Sequence, residues 1–200
     1  NSWSSRYDSD VNLTRDLDEI VTRNTLGSLD CKSILEIGCG TGKNTPLLSQ
    51  IGERVHAIDF SEGMIRMAKK KLKLRNVTFC VADITKPWPC SDGFANLIVC
   101  NLVLEHVENL SFIFSEASRS LAEKGRFFVC ELHPFRQYQG TVASFQKDQG
   151  TTHIRAFVHH LSDFLDAAKD SGFSLKAFKE WWHEEGQNKP PRLVSFMFQK

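Results

Sequence analysis

The sequence predicts an α/β fold built on a doubly wound parallel sheet, on three observations. Short apolar runs alternate with helical stripes from Ser33 to Leu132. That alternation is the signature of strands joined by crossover helices. The first run, Ser33 to Ile37, breaks into Gly38, Gly40 and Gly42 at alternate positions. The second and third runs each end at an acid, Asp59 and Asp83. Ligands of such sheets bind at the carboxyl ends of the strands, where all these residues fall.

The glycine turn is the centre of the reading. Without Cβ atoms it can take positive φ and let a ligand approach the backbone. Asn44 to Gln50 follows as a helix, with Asn44 as its cap and Pro46 in its first turn. A dinucleotide fingerprint is Gly-x-Gly-x-x-Gly. Here the spacing is Gly-x-Gly-x-Gly, and Lys43 stands where that fingerprint has its third glycine. Glu36 lies two residues before Gly38. Its carboxylate repels a pyrophosphate and suits a ligand carrying an ammonium or sulfonium charge.

On these residues, Glu36 with Gly38-Cys39-Gly40-Thr41-Gly42, the chain resembles the class I S-adenosylmethionine-dependent methyltransferases. The resemblance covers Cys31 to Lys200, tightly to Leu132 and loosely beyond. It implies a Rossmann-like seven-stranded sheet of order 3-2-1-4-5-7-6, last strand antiparallel, with helices on both faces. It also implies S-adenosyl-L-methionine as cofactor and S-adenosyl-L-homocysteine as product. Within the family, Asn101 to Val107 is most similar to the ubiquinone, menaquinone and small-metabolite group.

Taken in order, Val11 to Leu26 reads as an amphipathic helix with Leu13, Leu17, Ile20 and Val21 on one face, stopped by Gly27. Residues 1–30 are thus an N-terminal cap, and 31–200 the methyltransferase domain. The family places such a cap near the cofactor pocket, which brings Arg6 and Tyr7 into question as ligand contacts; packing is the simpler reading. Glu53 to Asp59 is the second strand, and Asp59 lies roughly 20 residues beyond the first glycine, the separation that puts a carboxylate on ribose hydroxyls. Phe60-Ser61-Glu62-Gly63-Met64 opens the next helix with Ser61 as N-cap. The resemblance puts Phe60 and Met64 near the adenosine.

Asn76 to Val81 is the third strand. The resemblance implies that Asp83 accepts from the adenine amino group and that Ile84 packs on the ring. Phe94 to Cys100 is the fourth strand, leading to Asn101 beside the reacting methyl group. Leu110, Ile113, Phe114, Ala117 and Leu121 form a helical stripe, and Arg126 to Leu132 is a fifth strand. The stretch 133–160 is an acceptor-side insert, rich in aromatic, histidine and arginine residues, including Phe135, Tyr138, Phe145, His153 and Arg155. Aromatic walls with a few polar groups suit a small-molecule pocket, and a simple lid over the cofactor is the alternative. A helix from Leu161, a strand Phe173 to Lys179 and a last strand Arg192 to Lys200 close the chain.

Formal net charge is +1, so no global field points to nucleic acid or a membrane surface. Lys69, Lys70 and Lys71 fit the C-terminal turn of a helix, where cations complement the dipole. The six cysteines show no C-x-x-C pair and read as reduced, which points to the cytoplasm. Metal is not expected. No run is long and apolar enough to span a bilayer and no signal peptide is visible. The chain starts at Asn1 rather than methionine, which leaves room for native residues before it.

The expected function is methyl transfer to oxygen, nitrogen or carbon of a small molecule, by a monomer or homodimer. Non-catalytic S-adenosylmethionine binding and methylation of a protein side chain are the alternatives. A base is needed only where the acceptor must lose a proton. His133, leaving the fifth strand on the ligand side, is the first candidate. His106 is the second, with a structural role as its competing reading.

Overall fold

The computed structural model describes residues 12–139, 144–147, 150–153, 156–187 and 189–200, with backbone alone for 144–147, 150–153 and 185. Arg6, Tyr7 and Arg155 lie outside the described residues, as do the side chains of Phe145 and His153.

Seven strands form one sheet: β1 (Cys31–Ile37), β2 (Gly52–Asp59), β3 (Val77–Val81), β4 (Ala95–Asn101), β5 (Leu121–Leu132), β8 (Ser174–Trp181) and β9 (Leu193–Gln199). Their order is β3-β2-β1-β4-β5-β9-β8. With the small β6 (Ser144–Lys147) and β7 (Gly150–His153) hairpin set aside, this is the expected 3-2-1-4-5-7-6. β1 to β5 are mutually parallel, and β9 runs antiparallel to both β5 and β8. The carboxyl ends of the five parallel strands therefore share one edge.

Helices α1 (Leu13–Leu26), α2 (Thr45–Ile51), α3 (Glu62–Lys71), α4 (Leu110–Ser120), α5 (Pro134–Tyr138) and α6 (Leu161–Asp170) flank the strands. One core cluster packs α4 and α6 against the sheet through Phe114, Phe127, Phe164, Phe196 and Phe198. A second packs α1 and α2 through Leu17, Val21, Leu26, Leu48 and Phe128. The aromatic cluster is built from edge-on and stacked rings, with Phe114 and Phe127 centroids 5.2 Å apart at 65°.

Local chemistry explains most boundaries. Ser61 caps α3, its hydroxyl accepting from Met64 N–H, and Lys69 to Lys71 occupy the last turn. Asn12 caps α1, accepting from Thr14 and Arg15 N–H. Trp88 is a packing residue, 3% exposed, with Nε1 donating to the Ile84 carbonyl at 2.9 Å.

Three expectations are corrected. Asn44 stands at the start of α2 without capping it; its amide donates instead to Asp18 Oδ2 at 2.8 Å. Ile20 is 52% exposed, and the buried face of α1 carries Asp18 and Thr22 beside Leu17 and Val21. β5 starts at Leu121 rather than Arg126, because Leu121 pairs with Ala95 before a register shift. Residues 122–125 drop out of the pairing at that shift, and Lys124 there has φ +61°.

Candidate functional site

The site is built from what leaves the carboxyl ends of β1 to β5. The glycine turn after β1 is strapped to β2: Gly38 and Cys39 N–H both donate to the Ile58 carbonyl, at 2.8 and 3.0 Å. All three glycines are left-handed, with φ of 71°, 55° and 80° for Gly38, Gly40 and Gly42. Their tasks differ. A Cβ on Gly38 would lie 2.2 Å from Val103 Cγ2, and one on Gly42 2.6 Å from Leu72 Cδ1. Those two are demanded by packing. A Cβ on Gly40 would meet nothing within 4 Å, so this glycine opens onto free space.

Asp59 ends β2 beside that opening. Its Oδ2 accepts from Gly40 N–H and its Oδ1 from Ser61 N–H, both at 2.9 Å. The carboxyl thereby joins the glycine turn to the start of α3. Burial pushes its pKa up against these two hydrogen bonds. Phe60, the next residue, is 78% exposed, while Met64 is buried one turn into α3. Asp83 follows β3 and is exposed. Its Oδ1 accepts from both N–H and hydroxyl of Thr85, which holds its pKa below the usual range. Ile84 is buried in the core beside it.

Glu36 is buried within β1, and its Oε2 accepts from Thr45 Oγ1 at 2.6 Å. Burial lifts its pKa to about 8, so it carries a proton at neutral pH in this state. Asn101, the last residue of β4, points its amide into α1: Nδ2 donates to Asp18 Oδ1 at 2.6 Å and to Thr22 Oγ1 at 2.8 Å. The structure thus gives Asn101 a task the sequence did not show. Asp18 takes the amides of both Asn44 and Asn101, and burial raises its pKa. The signal for it was present: Asp18 and Thr22 are polar residues four apart within an apolar stripe.

His133 is 7% exposed. Its Nδ1 accepts from Phe135 N–H at 3.1 Å, so Nε2 carries the proton it shares with Glu180 Oε1 at 2.9 Å. Burial lowers its pKa, opposed by Glu180. With the Nδ1 lone pair engaged in capping α5, His133 must break a bond before it can take a proton. That bond opposes proton uptake at Nδ1. The His106 side chain is 31% exposed at the end of a short 3₁₀ turn, Leu104–His106, with Nε2 3.8 Å from Glu105 Oε1.

Glu131, next to last in β5, was not singled out from sequence. It is 2% exposed, and its Oε1 accepts from Val103 N–H at 3.0 Å and Leu104 N–H at 2.9 Å. A lone acid in an apolar strand near the ligand edge was the available signal. Among the described residues no group of three or more His, Cys, Asp or Glu side chains is placed to hold a metal ion.

Residues 35–129 match the family model of the methyltransferase domain. Those residues carry a methyltransferase domain. The matched residues run from within β1 to within β5 and so include the glycine turn, Asp59, Asp83 and Asn101. The chain is 33% identical over 113 residues to a demethylmenaquinone methyltransferase of Tropheryma whipplei, covering 56% of this chain and 46% of that protein. It is 30% identical over 124 residues to a malonyl-[acyl-carrier protein] O-methyltransferase of Bacillus cereus, covering 61% and 45%. The chain thus spans under half the length of these curated relatives. The methyltransferase fold extends past the matched residues. A crystal structure of an S-adenosylmethionine-dependent methyltransferase from Mesorhizobium loti superimposes with TM-score 0.77 at 19% identity, covering 94% of this chain and all (100%) of that one.

Proposed function

We propose that this protein transfers the methyl group of S-adenosyl-L-methionine to a small-molecule acceptor and releases S-adenosyl-L-homocysteine. The observation that carries the reading is the pairing of Gly40 with Asp59: a turn open where its middle glycine lacks a Cβ, with a carboxylate bonded alongside. When bound, the cofactor supplies an already activated methyl group on a sulfonium.

The chain's residues bind and orient. The backbone of Gly38, Cys39, Gly40 and Gly42 shapes the cradle. Asp59 accepts from the ribose hydroxyls, exchanging its bond to Gly40 for charge-assisted ones. Phe60 and Met64 flank the adenosine, Asp83 takes the adenine amino group and Ile84 backs the ring. The exposure of Phe60 is consistent with a face awaiting a partner. Glu36 is neutral when its surroundings are, and a nearby cation favours its ionised form. Asn101 acts by holding α1 over this edge. Proximity and orientation of the acceptor then supply most of the acceleration.

The acceptor side is the insert 133–160. Phe135 and Tyr138 of α5 are 44% and 55% exposed there, which favours an apolar or aromatic acceptor. Relatives named for demethylmenaquinone and for a malonyl group on a carrier protein support a small acceptor, free or carried. Proton removal, where the acceptor requires it, falls to His133 and next to His106. No helix among the described residues is long and apolar enough to cross a membrane. All six cysteines are free, which supports a cytoplasmic setting.

Calorimetric titration with S-adenosyl-L-homocysteine, run beside NADH, tests the cofactor. Micromolar affinity for the first and none for the second is expected; the reverse sinks the reading. A labelled-methyl screen of metabolites then separates an enzyme from a non-catalytic binder.

A further inference from the structure

We propose that Glu131 is the positioning residue that joins the acceptor side of the site to the glycine turn. The inference rests on the function proposed above. Glu131 sits at the carboxyl end of β5, and its Oε1 takes the N–H groups of Val103 at 3.0 Å and Leu104 at 2.9 Å. Those two residues begin the loop that follows β4. The residue before them, Leu102, is held at φ +55°, a left-handed conformation unfavourable for any residue but glycine. A chain turn of that kind persists only where its surroundings fix it. Leu102 N–H is tied to the Cys130 carbonyl at 2.9 Å, so the anchors on both sides of the turn come from β5.

The consequence lies at Val103. Its methyl groups fill the space a Cβ on Gly38 would need, 2.2 Å from Cγ2. Val103 is therefore the wall against which the first glycine of the turn packs. Glu131 sets the Val103 backbone, and Val103 sets the glycine turn. On its outer side the same loop is bonded to the insert, Phe157 N–H donating to the Glu105 carbonyl and His159 Nε2 to the Val107 carbonyl, each at 2.7 Å. A displacement on the acceptor side thus has a bonded route to the cofactor cradle.

The other carboxyl oxygen of Glu131, Oε2, is buried without a hydrogen-bond partner, so the hydrogen bonds that hold the loop run through Oε1. Burial lifts this acid to about 8, which leaves it protonated at neutral pH. A glutamine has the same shape, the same neutral charge and the same acceptor oxygen.

The test is calorimetric titration of S-adenosyl-L-homocysteine into wild type, Glu131→Gln, Glu131→Ala, Val103→Ala and the Glu131→Ala/Val103→Ala double variant at pH 7. Glu131→Gln is expected within about 3-fold of wild type, and Glu131→Ala about 10-fold weaker, the loss of one to two effective hydrogen bonds. The double variant is expected no weaker than Glu131→Ala, because the acid acts through the valine. Wild-type affinity in Glu131→Ala, a Gln variant as weak as Ala, or additive losses each overturn the proposal. Should Glu131→Ala fail to fold, Glu131→Asp withdraws the acceptor oxygen by one methylene and takes its place.

Wild type that does not bind the nucleoside refutes the proposed function instead. Amide hydrogen exchange on the ligand-free protein then decides the inference alone. Faster exchange at Val103, Leu104 and Gly40 in the Ala variant, and not in the Gln variant, supports it. Unchanged exchange at Gly40 overturns it.

Discussion

The Asp59 carboxylate accepts the Gly40 N–H at 2.9 Å, across the gap between the ends of two neighbouring strands. The bond closes the glycine turn onto β2. The other carboxylate oxygen, Oδ1, accepts from Ser61 N–H, which orders the group proposed to hold the ribose and reduces the entropy cost of binding.

Asp59→Ala is therefore expected to weaken S-adenosyl-L-homocysteine by about 10-fold or more, the scale of one charge-assisted hydrogen bond. Calorimetry at pH 7 checks it. Unchanged affinity refutes the assignment of Asp59 to the cofactor.

The glycines separate by task. Gly38→Ala drives a methyl into Val103 and also strains its left-handed φ, so it is expected to destabilise the fold by about 2–5 kcal/mol, overpacking plus backbone strain. Gly40→Ala meets open space, so its stability cost is confined to its left-handed φ, about 1–2 kcal/mol. Its larger effect falls on binding, where the new methyl occupies the cradle. Urea unfolding and nucleoside titration of both variants give the comparison; equal binding losses at equal stability would contradict it.

Glu36 gives a pH prediction. Burial lifts its pKa in the folded protein to about 8, from the ordinary 4.5 of a glutamate. Between those values the folded state holds a proton that the unfolded state has released. Stability from this group therefore falls as pH rises from about 4.5 to about 8 and levels off above. Glu36→Gln keeps an acceptor for Thr45 and removes the titration. Measured by urea midpoint, its stability relative to wild type is expected to improve steadily from pH 5 to pH 8. A difference independent of pH argues that the acid is ionised in the fold.

Asp18 holds two asparagine amides and lies in the buried face of α1. Asp18→Ala strands the Asn44 amide and leaves Asn101 Nδ2 with Thr22 Oγ1 alone, and is expected to cost about 1–3 kcal/mol, the scale of one unsatisfied buried group. Asp18→Asn retains an acceptor and is expected to cost less. Thermal unfolding orders the two, and faster hydrogen exchange along α1 in the Ala variant locates the damage.

His106→Gln is expected to leave nucleoside affinity within about 2-fold and to lower turnover by about 10²-fold or more, but only for an acceptor that must lose a proton. Assays with one acidic and one amine acceptor make the comparison. Equal losses for both would assign His106 a structural role.

The doubly wound sheet and its ligand edge follow from local signals, and the strand order from the family resemblance. Apolar runs of strand length, the helical stripe at Ile113, Phe114 and Ala117, and glycines at 38, 40 and 42 each reflect short-range chemistry that a linear reading captures. The cap at Ser61 and the lysines closing α3 do so as well. The expected cap at Asn44 failed for a non-local reason: its side chain is turned so that the amide donates to Asp18, on a helix 26 residues earlier in the chain, and its Oδ1 accepts from no helix N–H.

The acids and histidines divide in the same way. Which residues reach the carboxyl edge is legible in the chain itself, because strand ends and glycine spacing are written in its order. What each side chain does there was decided by the tertiary structure. Glu36 is a neutral partner of Thr45, His133 spends both ring nitrogens on Phe135 and Glu180, and Glu131 holds a left-handed turn 28 residues away at Val103. Burial sets the charge of a carboxyl and geometry sets its hydrogen bonds, and both depend on neighbours that only the folded chain brings together.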